Sequence, residues 1–268
     1  INRDKDVEIL NPDRNEKFEE YAAFYHKLVG RNGVSVAAAR KIMHDDNTAV
    51  AAVMVARGEA DGLICGKVGR FDFHLREIMQ LLGPKDKTQL VSSVAMLLLP
   101  EGPLFLADTA MNLDPTAEEL VKITEASIEL VKRFGIEPKV ALLSHSNFGT
   151  SNNPSARKVR KAAEVLRGTH PDLQIDGEMH VLSALNPKLR DTVYAEANIS
   201  GRANVLVLPN LDAANIAMGL IRSLTDALLV GPFINGFSKP AHIVIPSVSS
   251  RGIFNMTALT VADIQAAK

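Results

Sequence analysis

The sequence predicts an α/β protein whose parallel sheet is covered by helices on both sides, and two observations carry that prediction. Short apolar runs at 61–66, 140–143, 205–208 and 227–230 have no polar face, which suits strands buried on both sides. The last three each lead through a polar loop towards a stretch with helical spacing, the alternation expected of strand-helix-strand units.

The elements follow in order. Phe18, Tyr21, Ala22, Tyr25, Leu28 and Val29 repeat at helical spacing. Residues 47–57 read as a helix stopped by Gly58, and 71–82 as a helix stopped by Gly83. Runs 91–99 and 104–108 read as strands around the turn Pro100-Glu101-Gly102-Pro103. Thr116 and Glu119 form a capping box that starts a helix reaching Phe134 before Gly135.

Composition limits the function. The 268 residues are 46% hydrophobic, enough to bury a core, and the formal net charge is -1. That charge draws the chain to neither nucleic acid nor acidic lipid, and no run of 18 apolar residues spans a bilayer. The single cysteine, Cys65, excludes an internal disulfide and, with no leader pattern, points to a reducing cytoplasm. Cys65 sits in an apolar strand pattern and reads as a small core residue. The seven histidines show neither H-E-x-x-H nor Cys/His clusters, so no metal is assigned. A start at Ile1 rather than Met fits a fragment of a longer polypeptide.

Ligands in open α/β sheets bind beyond the carboxyl ends of strands, which directs attention to 66–70, 145–153, 209–215 and 231–239. In the segment LLSHSNFGTSNNPSARKVRKAAEVLR, Asn153 precedes Pro154 at the first helical position, so the amides ending the loop suit an anion. Arg157, Arg160 and Lys161 lie along one side of this helix, while Val159, Ala162, Ala163 and Leu166 face the core. The segment is a phosphate cradle or an ordinary capped helix with a solvated basic face; both readings stay open, and neither a Walker loop nor G-x-G-x-x-G is present. In SVSSRGIFNMTAL, Ser250 and Arg251 adjoin Gly252 before a helix, with Asn255 a turn on. The hydroxyl, loop amides and planar guanidinium suit an anion, and the alternative is an N-capped helix with a surface ion pair. Lys67 and Arg70 follow a strand end and read as solvated loop residues.

Across nearly its whole length the chain resembles the phosphate acetyl- and butyryltransferase family. The motifs ADGLICG, LFLADTAMNLDPTAEELVKIT, GIEPKVALLSHSNFGTSNNPSARKVRKAAE, DGEMHVLSAL, ANVLVLPNLDAANIAMGLI, GPFINGFSKP and SRGIFNM stand in the family's order. IMHDDNTAVAAVMVARGEADGLICG and AHIVIPSVSSRGIFNMTAL look most like the phosphotransacetylase-like domain of hybrid, NADP-dependent malic enzymes. The resemblance implies two α/β domains with a cleft between them, a phosphotransacetylase fold of the isopropylmalate dehydrogenase type. The first domain is expected at 1–94 with 236–268, and the second, carrying a dimer interface, at 95–235.

Active transacetylases move an acetyl group between coenzyme A and phosphate, which requires a base for the thiol and cations for phosphate and oxyanion. Ser250 and Arg251 match the family's Ser-Arg pair, and Arg76 matches one of its other arginines. The family's Asp has no counterpart, because Gly252 leads directly into Ile253; its cysteine falls on Thr109 and a second arginine near Leu90. The resemblance therefore implies a domain that binds acetyl-CoA as an allosteric effector with little or no transacetylase activity, and no catalytic residue is assigned. The acetyl-CoA or phosphate contacts are expected from Ser250, Arg251, Asn255, Arg76, Ser144, Ser146, Gly149, Thr150 and Ser151. An attached malic enzyme domain, absent here, would carry NADP and a divalent metal and convert malate to pyruvate. A homo-oligomer is expected, a dimer through the second domain and higher in the full protein. The alternatives are an active phosphate acetyltransferase recruiting Asp212 or Asp263 as base, and a purely structural dimerisation module.

Overall fold

The structure, a computed structural model, describes residues 3–11, 14–84, 86 and 89–266. The chain divides into two compact units, Ile1–Lys85 with Phe237–Lys268, and Asp86–Gly236.

The first unit begins with α1 (Arg3–Asp6), α2 (Phe18–Val29), α3 (Val36–Asp45), α4 (Asn47–Ala56), β1 (Leu63–Gly66) and α5 (Phe71–Leu82). Tyr21, Ala22, Tyr25 and Val29 of α2 are buried, as their spacing predicts. Asp46 ends α3 and starts α4: its Oδ1 accepts the amides of Thr48 and Ala49 at 2.8 and 3.2 Å. From there α4 buries Val50, Val53 and Val55, each contributing about 1.5–3 kcal/mol of transfer free energy. Sequence periodicity missed α3, which buries only Ala39 and Met43; its local signal is Ser35, whose Oγ accepts the Ala38 amide at 3.2 Å.

The second unit contains β2 (Ser92–Leu99), β3 (Gly102–Ala107), α6 (Ala117–Arg133), β4 (Lys139–Leu143), α7 (Pro154–Thr169), β5 (Gln174–Met179), α8 (Val181–Leu185), α9 (Pro187–Val193), β6 (Val205–Val207), α10 (Leu211–Leu224) and β7 (Leu228–Asn235). Its six strands run in the order β5-β4-β6-β3-β2-β7. The expected parallel sheet is corrected here to a mixed one. Strands β3 to β6 pair in parallel, while β2 is antiparallel to both β3 and β7. The physical reason is the tight turn after Leu99, which is too short for a parallel crossover and returns the chain as a hairpin. Leu97, Leu106, Ala141, Leu143, Met179 and Leu206 pack in one buried cluster. The predicted capping box is present: Thr116 Oγ1 accepts the Glu119 amide at 3.2 Å and Glu119 Oε2 accepts the Thr116 amide at 2.7 Å.

The chain then returns to the first unit with β8 (Ala241–Val244) and α11 (Ser250–Ala266). Strands β1 and β8 pair in parallel from Leu63 with Ala241 to Gly66 with Val244. A Cβ on Gly66 would lie 2.1 Å from the Val244 carbonyl oxygen, and its φ of 102° is also unsuited to a side chain. The boundary expected after residue 94 falls inside β2, whose two edges are bonded to β3 and β7, so that strand lies whole in the second unit. Among the described residues no helix is long and apolar enough to cross a membrane.

Candidate functional site

In the first unit the carboxyl ends of β1 and β8 lie side by side and open onto two loops. Lys67, at φ 68°, follows β1 and donates from Nζ to the carbonyl oxygen of Pro246 at 3.0 Å, tying the loop before α11 to the end of β1. Ser249, not Ser250, caps α11: its Oγ accepts the Gly252 amide at 3.1 Å. Ser250 and Arg251 are therefore exposed in the first turn, and among the described residues neither side chain pairs with another. Asn255 follows one turn on and is half-buried. The Ser250 hydroxyl, the Arg251 fork and the positive end of α11 point the same chemistry outward, recognition of an anion.

Arg76 lies on α5, 60% exposed, with Nε donating to Glu77 Oε1 at 3.2 Å and its guanidinium 5.4 Å from the Phe73 ring centroid. Glu77 is buried and accepts the Tyr25 hydroxyl at 2.7 Å, and the burial of Tyr25 together with this hydrogen bond pushes its phenol up. Cys65 is half-buried, and desolvation pushes its thiol up to about 12, so it supplies no thiolate at neutral pH.

In the second unit the 144–153 loop joins β4 to α7. Asn153 caps α7, its Oδ1 accepting the Ala156 amide at 3.2 Å with Pro154 at the first position, as its sequence predicts. The remaining donors turn elsewhere. Glu178 of β5 is fully buried, and its Oε1 accepts the Ser146 hydroxyl at 2.7 Å and the Gly149 amide at 2.9 Å. Arg160 of α7 closes on the same carboxylate with both edges of its fork, Nε to Oε2 at 2.9 Å and Nη2 to Oε1 at 2.8 Å. Burial pushes the Glu178 carboxyl up, but Arg160, Ser146 and the Gly149 amide outweigh it and hold the group at about 2. The Ser146 oxygen in turn accepts the Ser151 amide at 3.0 Å, and Arg160 Nη2 donates to the Ser151 carbonyl oxygen at 2.6 Å.

The loop is thus a cradle for an anion, and the anion is a carboxylate of the chain itself. The expectation that the Ser146 hydroxyl and the Gly149 and Ser151 amides face a ligand's phosphates is corrected, because Glu178 takes the first two and Ser146 Oγ the third. Ser144 and Ser151 keep hydroxyl protons to give: Ser144 Oγ accepts the Ser146 amide at 3.3 Å and Ser151 Oγ the Asn153 amide at 3.5 Å, whereas Thr150 Oγ1, which accepts the Asn147 amide at 3.0 Å, donates to Ser146 Oγ at 3.2 Å because the Ser146 proton is given to Glu178. Arg160 also leaves the expected solvated basic stripe, and Lys161 pairs with Glu118. Sequence reasoning missed Glu178 as the partner of this loop. DGEMH gave no signal for it, because acidic residues alternating with apolar ones at a strand position read as a solvent-facing edge.

The two acids considered as replacement bases differ in setting. Asp212 is exposed in the first turn of α10, whereas Asp263 Oδ2 lies 3.1 Å from Nε2 of the buried His242. Thr109 is 4% exposed, and its amide donates to Ser93 Oγ at 3.1 Å. Leu90 brings no charge to its position. Among the described residues no three His, Cys, Asp or Glu side chains are grouped to hold a metal ion.

Comparison with known proteins adds to this geometry. The family model described as Phosphate acetyl/butaryl transferase matches residues 1–261. The NAD-dependent malic enzyme of Rhizobium meliloti (strain 1021) is 44% identical over 263 residues, covering 98% of this chain and 34% of that protein. The NADP-dependent malic enzyme of Escherichia coli (strain K12) is 43% identical over 261 residues, with 97% and 34% covered. The phosphate acetyltransferase of Clostridium acetobutylicum is 32% identical over 266 residues, with 97% and 80% covered. The chain therefore spans about a third of the length of the malic enzymes it matches. Among solved structures, a phosphotransacetylase from Streptococcus pyogenes matches with a TM-score of 0.88 at 30% identity, covering 98% of this chain and 80% of that one.

Proposed function

The chain belongs to the phosphate acetyl/butaryl transferase family and has the two-unit α/β fold of the phosphotransacetylases, and from that premise we propose that it binds acetyl-CoA as an effector with little or no transacetylase activity. The observation that carries this reading is the helix that bears Ser250 and Arg251. Its sole carboxylate, Asp263, stands twelve residues beyond Arg251, about 18 Å along the axis at 1.5 Å per residue. Asp263 is moreover engaged with buried His242, so α11 offers anion-binding groups at its start and no base beside them. Loss of a positioned base costs a thiol reaction about 10²-fold or more in rate, whereas binding needs only the cations and hydroxyls. In this reading Arg251, Ser250, Asn255 and Arg76 take the anionic parts of the ligand, and Ser144 and Ser151 contribute hydroxyls.

The likeness to malic enzymes over a third of their length supports a larger protein in which this chain is a regulatory part. The attached domain would decarboxylate malate oxidatively with a divalent metal and a nicotinamide coenzyme, NAD or NADP by the names of those relatives. An effector shifts such a partner only by binding one of its states more tightly than the other. Self-association through the second unit is part of the proposal. Helix α10 buries only Ala214 and exposes Ile216, Leu220 and Leu224, four residues apart on one face, as a surface awaiting a second copy would.

The phosphate acetyltransferase relative favours the competing reading, an active enzyme. Incubation of the protein with acetyl phosphate and CoA separates the two. Calorimetric binding of acetyl-CoA without formation of acetyl-CoA from those substrates supports the effector reading; steady turnover removes it.

A further inference from the structure

We infer that Glu178 is the positioning residue of the 144–153 loop, the group that gives this segment its ligand-ready shape; the inference rests on the acetyl-CoA reading. The helix that follows does not need it, because Asn153 already caps α7. Nor does stability alone explain a fully buried carboxylate. Desolvating such an ion pair costs several kcal/mol, which its attraction only about repays, so apolar side chains of similar volume would serve the core as well. What an apolar side chain would not supply is direction.

Glu178 fixes the loop at three points. Its main-chain oxygen accepts the Phe148 amide at 2.8 Å and Oε1 receives the Ser146 hydroxyl and the Gly149 amide, which set the middle of the loop, while the Arg160 fork ties the carboxylate to α7. Because Ser146 has given its proton to Glu178, its oxygen is free to accept the Ser151 amide, which draws the far end of the loop onto the near one. Gly149 stands at φ 96°, a conformation that its carboxylate partner holds in place. The exposed Thr150 is carried on this frame, its Oγ1 within 3.2 Å of Ser146 Oγ. A side chain placed in advance loses less entropy on meeting a ligand.

The test is calorimetric titration with acetyl-CoA of the wild type, Glu178→Gln and Glu178→Ala, the last with and without formate. Glu178→Gln keeps the volume and loses the charge, and is expected to bind about tenfold or more weakly with an unchanged far-ultraviolet spectrum. Glu178→Ala is expected to bind more weakly still and to recover with formate, a free carboxylate small enough for the space left, while formate leaves the wild type unaffected. Wild-type affinity in Glu178→Gln overturns the inference and leaves the effector reading intact, as does a folded Glu178→Ala that formate does not help. If Glu178→Ala fails to fold, Glu178→Gln decides alone. If the wild type itself gives no heat, the effector reading fails, and amide exchange at Gly149 and Ser151 decides the positioning role: faster exchange in Glu178→Gln supports it and equal exchange overturns it.

Discussion

Nε2 of His242 lies 3.1 Å from Oδ2 of Asp263, joining β8 to α11 through a histidine that is 1% exposed. The contact anchors the helix whose first turn presents Ser250 and Arg251. Replacing Asp263 by Ala removes a hydrogen bond from a buried imidazole, and stability is expected to fall by about 1–3 kcal/mol in urea denaturation. A catalytic base at this position would behave differently: the variant would keep its stability and lose turnover.

Arg251 is exposed and, among the described residues, makes no ion pair, so folding does not depend on it. Arg251→Ala is expected to weaken acetyl-CoA binding by about 1–3 kcal/mol while the melting temperature stays within a degree or two. Unchanged affinity in calorimetry removes this side chain from the site.

Glu178 gives the fold a defined acid dependence. Its carboxyl is held at about 2, below the ordinary 4.5, so its contribution is complete above pH 4.5 and is lost as the pH falls towards 2. The contribution is on the order of 3 kcal/mol by linkage. Stability measured from pH 6 down to pH 2 is expected to fall more gently in Glu178→Gln than in the wild type. Parallel curves would show that the carboxyl titrates normally.

The apolar face of α10 carries the prediction for self-association. Leu220 is 56% exposed and Leu224 80%, so a charge at either position costs the isolated chain little. Leu220→Glu is expected to shift the sedimentation coefficient from that of a dimer to that of a monomer with the spectrum unchanged. An unaltered wild-type sedimentation profile in the variant would place the contact elsewhere.

Much of this was legible in the sequence because its signals are local. Helix α5 spans Phe71–Leu82, the predicted range, since Gly83 directly follows its apolar stripe. The caps at Thr116 and Asn153 lie within three residues of the amides they accept. Strand β5 was not legible: Asp176 and Glu178 alternate with apolar neighbours in a way that reads as exposed, yet both are buried by arginines of α7. Helix α3 escaped because only two of its residues face the core.

The sequence by itself determined the α/β class, most elements with their caps, and the run of motifs that marks the family. Only the tertiary structure decided what the 144–153 loop holds. Ser146 and Gly149 meet a carboxylate 32 and 29 residues further along, and that partner arrives only when β5 pairs with β4. The same loop pattern fits an incoming phosphate or an internal carboxylate, because an amide and a hydroxyl respond to negative charge and not to its source.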